Sequence, residues 1–73
     1  MEKKYYKYGL RPIIEEVETE YSTFYAFQWE TGEFKEDMTY ASKIWQDSSG
    51  DKEDLSESEF NEYVESIKKE RGL

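Results

Sequence analysis

The sequence predicts an α+β domain: a three- or four-stranded antiparallel sheet with one C-terminal helix packed on one face. Three observations lead there. Residues 23–30, Thr-Phe-Tyr-Ala-Phe-Gln-Trp-Glu, are dense in strand-forming residues and alternate two side-chain sets. Residues 56–72 carry a helix start signal, an apolar stripe at helical spacing and a stop signal. Seventy-three residues make room for a single domain, spanning 1–73, whose small core must be used efficiently.

From the N-terminus, residues 4–8 read as a strand, with Lys4 and Lys7 placed to protect an edge. Pro12 opens the next segment. Residues 13–18 favour an edge strand; the alternative is a short helix begun by Pro12, with Ile13, Ile14, Val17 and Tyr21 on its buried side. In the 23–30 strand, Tyr25, Phe27 and Trp29 share one face, while Phe24, Ala26 and Gln28 share the other. Thr31 and Gly32 supply a turn, and 33–35 begin a return strand. Residues 37–46 fit two patterns. As a strand, Met38, Tyr40 and Ile44 share a face with Ser42. As a helix capped by Asp37, Met38, Ala41, Ile44 and Trp45 make a stripe. The Tyr, Thr, Ile and Trp content favours the strand. Residues 47–54 read as a polar loop.

The helix over 57–71 has the most specific signals. Ser56 and Glu59 have the spacing of a capping box, and Leu55 and Phe60 that of a hydrophobic staple. Phe60, Tyr63, Val64 and Ile67 follow at i, i+3, i+4 and i+7. Acids cluster at the start of the helix and Lys68, Lys69 and Arg71 at its end, in the sense that suits the helix dipole; Gly72 follows as the stop.

Composition narrows the function. The chain has no Cys and no His, which removes disulfides, thiolate zinc sites and Ser-His or Cys-His nucleophilic pairs. No phosphate-binding glycine motif occurs, and no cofactor is expected. Paired carboxylates could do acid–base work, but Glu15-Glu16 and Glu53-Asp54 lie in polar runs where water should keep them ionised. The expectation is a non-enzyme. A net charge of −8 argues against direct nucleic-acid or membrane binding and suits a protein partner with a basic surface. Lys3 to Tyr8 interleave bases and aromatics, as in single-strand binders, yet the net charge favours a protected edge strand instead. Missing apolar runs and the lack of Cys point to a cytoplasmic location.

The acids of 47–65 are the candidate site. A calcium loop fails on spacing: counted from Asp47, the sixth position is Lys52 rather than Gly and the twelfth is Ser58 rather than Glu. A second acidic run, Glu15, Glu16, Glu18 and Glu20, reads as surface charge. The ring content exceeds what a two-layer core of this size hides, so tyrosines are expected on the free face of the sheet. The partner-binding residues expected are Asp47, Asp51, Glu53, Asp54, Glu57 and Glu62, with the aromatics Tyr25 and Trp29. The function expected is that of a small acidic inhibitor of the phage or mobile-element type, able to mimic nucleic-acid phosphates; the alternative is a structural or regulatory subunit of a larger assembly.

Overall fold

In the computed structural model, which describes residues 2–46 and 50–73, the chain folds as an antiparallel five-stranded sheet with a helix on each face. The strands are β1 (Glu2–Tyr8), β2 (Arg11–Val17), β3 (Ser22–Phe27), β4 (Phe34–Glu36) and β5 (Lys52–Leu55). The helices are α1 (Thr39–Trp45) and α2 (Glu57–Arg71), and the sheet order is β4-β3-β2-β1-β5. The α+β class and the C-terminal helix agree with the sequence reading. The sheet has five strands rather than three or four, and a second helix covers the face expected to be free.

β1, β2 and β3 are joined by tight hairpins. Tyr8 pairs with Arg11 across Gly9-Leu10, and Gly9 takes φ 60°. A positive φ at the first central residue is what a type II′ hairpin turn requires, and glycine adopts it without a Cβ clash. β2 is central, not an edge, although Pro12 lacks an N–H. The cross-strand partner that Pro12 would serve is the carbonyl of Phe27, one step beyond the Ile13–Ala26 pair. Arg11 supplies the missing donor, its Nε lying 2.8 Å from the Phe27 oxygen. β1 is likewise interior along Tyr5–Tyr8, where β5 pairs with it, and open only along its first residues. β5 itself lies in the stretch expected to be loop.

Alternation sends the side chains to two cores. On one face Tyr6, Ile13, Phe24 and Ala26 pack under Tyr40 and Ile44 of α1. On the other, Phe27 packs under Phe60, Val64 and Ile67 of α2, with Tyr5, Ile14, Trp29, Phe34, Leu55 and Tyr63 around them. The faces of β3 are as read: Tyr25 and Phe27 on the α2 side, Phe24 and Ala26 on the α1 side. Two covered faces, not one, absorb most of the rings.

The 37–46 segment is a helix, which overturns the strand reading. β4 and β5 are the two outermost strands, four spacings or about 19 Å apart. The connection must cross the sheet, and a helix does so while burying Tyr40 and Ile44 on Phe24 and its neighbours. Its N-cap is Met38 rather than Asp37, and Asp37 braces the start from one residue earlier: its Oδ1 accepts hydrogen bonds from the Thr39 N–H at 3.1 Å and the Thr39 hydroxyl. The Thr39 hydroxyl is the main reason the Asp37 carboxyl is held below its ordinary range.

α2 has the expected caps. Ser56 Oγ accepts from the Glu59 N–H at 3.1 Å, and Glu59 Oε1 accepts from the Ser56 N–H at 2.9 Å. Hydrogen bonding of its carboxylate to Ser56, first to the backbone N–H, lowers the Glu59 pKa. Gly72 closes the helix at φ 74°.

Glu15 corrects a second expectation. It is 4% exposed, on the α1 face in line with Ile13, and accepts a 2.7 Å hydrogen bond from the Tyr6 hydroxyl. The acid run is therefore split: Glu15 faces a core and Glu16 faces the opposite side of the sheet. Because the α1 face is covered, the carboxylate there lies under packing rather than in water.

Candidate functional site

The capping box sets where α2 starts, and the stripe through Phe60, Val64 and Ile67 sets which side faces the sheet. Residues off that stripe must face outward. Glu57, Glu59, Glu62 and Glu65 are all exposed. Glu59, Glu62 and Glu65 recur every third residue, so successive carboxylates are neighbours on one flank, with Cβ atoms about 5–6 Å apart. Among the described residues, none of these three has a cation within ion-pairing distance. Like charges so spaced destabilise a helix by about 0.2–0.5 kcal/mol per pair. The dipole favours Glu59 in the first turn, but Glu62 and Glu65 lie beyond it.

Among the described residues, five of the ten basic residues lie over aromatic rings, and two of those five also pair with an acid. Lys7 lies 3.5 Å from Glu53 and over the Tyr63 ring, and Lys52 lies 3.5 Å from Asp54 and over the Tyr6 ring. Arg11 and Lys43 both lie over Tyr40, and Arg71 lies over Trp29 at 4.9 Å. Such contacts hold cations against rings by the ring quadrupole. These five bases thus reinforce the frame, and much of the acid excess is left on the surface.

Asp51 precedes β5, and its carbonyl accepts the Gly9 N–H. Glu53 and Asp54 project to opposite faces of β5, each beside its lysine. Glu57 accepts a 3.1 Å hydrogen bond from the Tyr5 hydroxyl; desolvation and this bond raise the Tyr5 pKa. Glu62 is exposed on α2, and Asp47 lies outside the described residues. An open groove of about 910 Å³ runs beside these acids, where β5 leaves β1 uncovered, and Lys3, Lys4, Leu55 and Ser56 line it.

The two aromatics do not join this cluster. β3 is three strand spacings, about 14 Å, from β5. Trp29 is half-buried, edge-on to Phe27 at 5.5 Å and beneath Arg71, so its ring serves packing. Tyr25 is partly exposed and donates to Glu16 Oε1 at 3.2 Å. Glu65 falls within the acidic 47–65 stretch but not among the partner-binding residues expected from sequence; its three-residue spacing from Glu62 is the signal that adds it. Tyr21, which the helical alternative for this segment places on a buried side, lies just before β3 and is 66% exposed.

Among the described residues no group of His, Cys, Asp or Glu is placed to hold a metal ion, and no helix is long and apolar enough to cross a membrane. No protein-family model, curated protein or solved structure matches the chain.

Proposed function

We propose that this chain is a non-enzymatic protein-binding module that presents carboxylates to a basic surface of a protein partner and so acts as an antagonist. The observation that carries the reading is the Glu59-Glu62-Glu65 series on the outer flank of α2. Glu59 and Glu62 repel each other, none of the three acids makes an ion pair among the described residues, and only Glu65 has lysines, Lys68 and Lys69, at helical spacing; the remaining local cost is one that a complementary partner would reverse. Glu57 and the acids of β5 extend the surface at the helix start, with Glu53 and Asp54 partly offset by Lys7 and Lys52. A row of carboxylates on a well-capped helix also resembles a run of phosphates in charge density, which suits a partner that normally holds nucleic acid.

The test is affinity capture from host lysate on the immobilised full chain, at about 50 and about 500 mM salt, beside a Glu62→Gln/Glu65→Gln variant. A partner held at low salt, released at high salt and by duplex DNA, and lost with the variant is the expected result. Capture that survives the double substitution unchanged refutes the role of the helix flank. Capture insensitive to DNA refutes the phosphate-mimic element alone.

A further inference from the structure

α2 covers only part of the sheet face on which it lies. It leaves β5 beside Tyr5, where Phe60 meets the Tyr5 ring at 4.9 Å, and ends near the β3–β4 turn, where Arg71 lies over Trp29. The corner formed by the far ends of β2 and β3 and the end of β4 has no helix above it. Register builds this corner in rows. Tyr25 stands between Ile14 and Glu36, and Thr23 stands opposite Glu16. Glu18 and Tyr21 oppose one another at the hairpin, where the Glu18 N–H bonds the Tyr21 carbonyl at 2.8 Å. Neighbouring rows and strands lie about 5–7 Å apart, so three carboxylates surround one ring.

Tyr25 belongs to neither core. Its hydroxyl is tied to Glu16 and has a raised pKa, first by desolvation, then by that bond and by the charges of Glu16, Glu36 and Glu18. All three carboxylates therefore act on this ring. Among the described residues the corner's one ion pair is Lys3 with Glu16, at 3.8 Å, and the Lys3 side chain is half exposed. The partly exposed Tyr25 ring inside a carboxylate rim, with the exposed Tyr21 nearby, offers rigid apolar area and a negative field together. Elsewhere in this molecule three tyrosine rings, Tyr6, Tyr40 and Tyr63, each lie under a Lys or Arg. Among the described residues, no cation lies over the Tyr25 ring.

We infer that this open sheet corner docks a cationic segment of a protein partner, with an arginine guanidinium over the Tyr25 ring and the Glu16, Glu18 and Glu36 carboxylates around it. Arginine suits the site because its planar group stacks on a ring while its edge donates to carboxylates. The inference rests on the reading of a basic partner but places a contact on the sheet rather than on α2.

The test is an amide NMR titration of the full, isotope-labelled chain with an acetylated hexa-arginine peptide at about 150 mM salt, where distant exposed charges are screened. Shifts centred on Thr23, Tyr25 and Glu36 are expected. Tyr25→Ala should weaken binding about two- to five-fold, the worth of an exposed cation–ring contact, while Tyr25→Phe should keep it. Shifts confined to the outer flank of α2 would overturn this inference and leave the helix-flank reading standing. Equal affinity of the wild type and Tyr25→Ala would also overturn it. Absence of binding at either surface would overturn both.

Discussion

Tyr6→Phe removes one oxygen from a core and should be expensive. The Tyr6 hydroxyl donates to Glu15 at 2.7 Å, and Glu15 is 4% exposed on the α1 side of the sheet. The substitution keeps the ring, so packing changes little, but it takes a donor from a buried carboxylate. Hydrogen bonds to such groups contribute about 1.5–3 kcal/mol, and the loss is larger when the surviving partner stays buried. A domain of this length is stable by roughly 4–11 kcal/mol at 0.05–0.15 kcal/mol per residue, so the variant should fold yet unfold roughly 6–24 °C lower. Glu15→Leu alone strands the tyrosine hydroxyl and should cost about 1–3 kcal/mol. The double variant replaces both partners with apolar groups and should lose much less than the two singles together, by a difference of at least about 1.5 kcal/mol. Urea unfolding followed by far-UV circular dichroism and by the fluorescence of Trp29 and Trp45 gives all three values. A Tyr6→Phe cost below about 0.5 kcal/mol, or additive singles, would show that the pair is not coupled in the core and refute the reasoning.

Phe60 is 2% exposed between the rings of Tyr5 and Phe34, so Phe60→Ala should cost about 3–5 kcal/mol, measured by the same unfolding curves. Ser56→Ala breaks the capping box and should cost about 1 kcal/mol, with faster amide exchange in the first turn of α2 as its local signature. The tyrosine hydroxyls set an alkaline limit. Tyr6, Tyr5 and Tyr25 have pKa values above the ordinary 10.0, so their stabilisation is complete below pH 10 and is lost as pH rises through the folded values. The urea midpoint should fall above pH 10, and less steeply in Tyr6→Phe. Glu59 and Asp37 act in the opposite sense: their pKa values lie below 4.5 and 3.8, so their contribution is present above those values and is lost as pH falls through the lower, folded ones. The acid side of the urea-midpoint profile should be shallower in Glu59→Ala.

α2 was legible in the sequence because each of its determinants is local. Ser56 and Glu59 bond to each other three residues apart, Leu55 and Phe60 bracket the start, and Gly72 supplies the left-handed stop. The 23–30 strand and its two faces were legible for the same reason, since alternation needs no distant partner. Tertiary structure decided the rest. Residues 39–45 form barely two turns, too short for period alone to separate helix from strand. They become helical because the chain must cross from one sheet edge to the other and because Phe24, Ile13 and Tyr6 need a cover. Lys52–Leu55 lacks an apolar alternation that marks a strand and becomes one by pairing with Tyr5–Tyr8 of β1. Covering the α1 face then buried Glu15 beside Tyr6, whereas Glu16, one residue on, stays on the open corner with Tyr25. Two adjacent identical residues acquire opposite environments because strand alternation assigns them to opposite faces. Only the position of the two helices decides which face is covered around each.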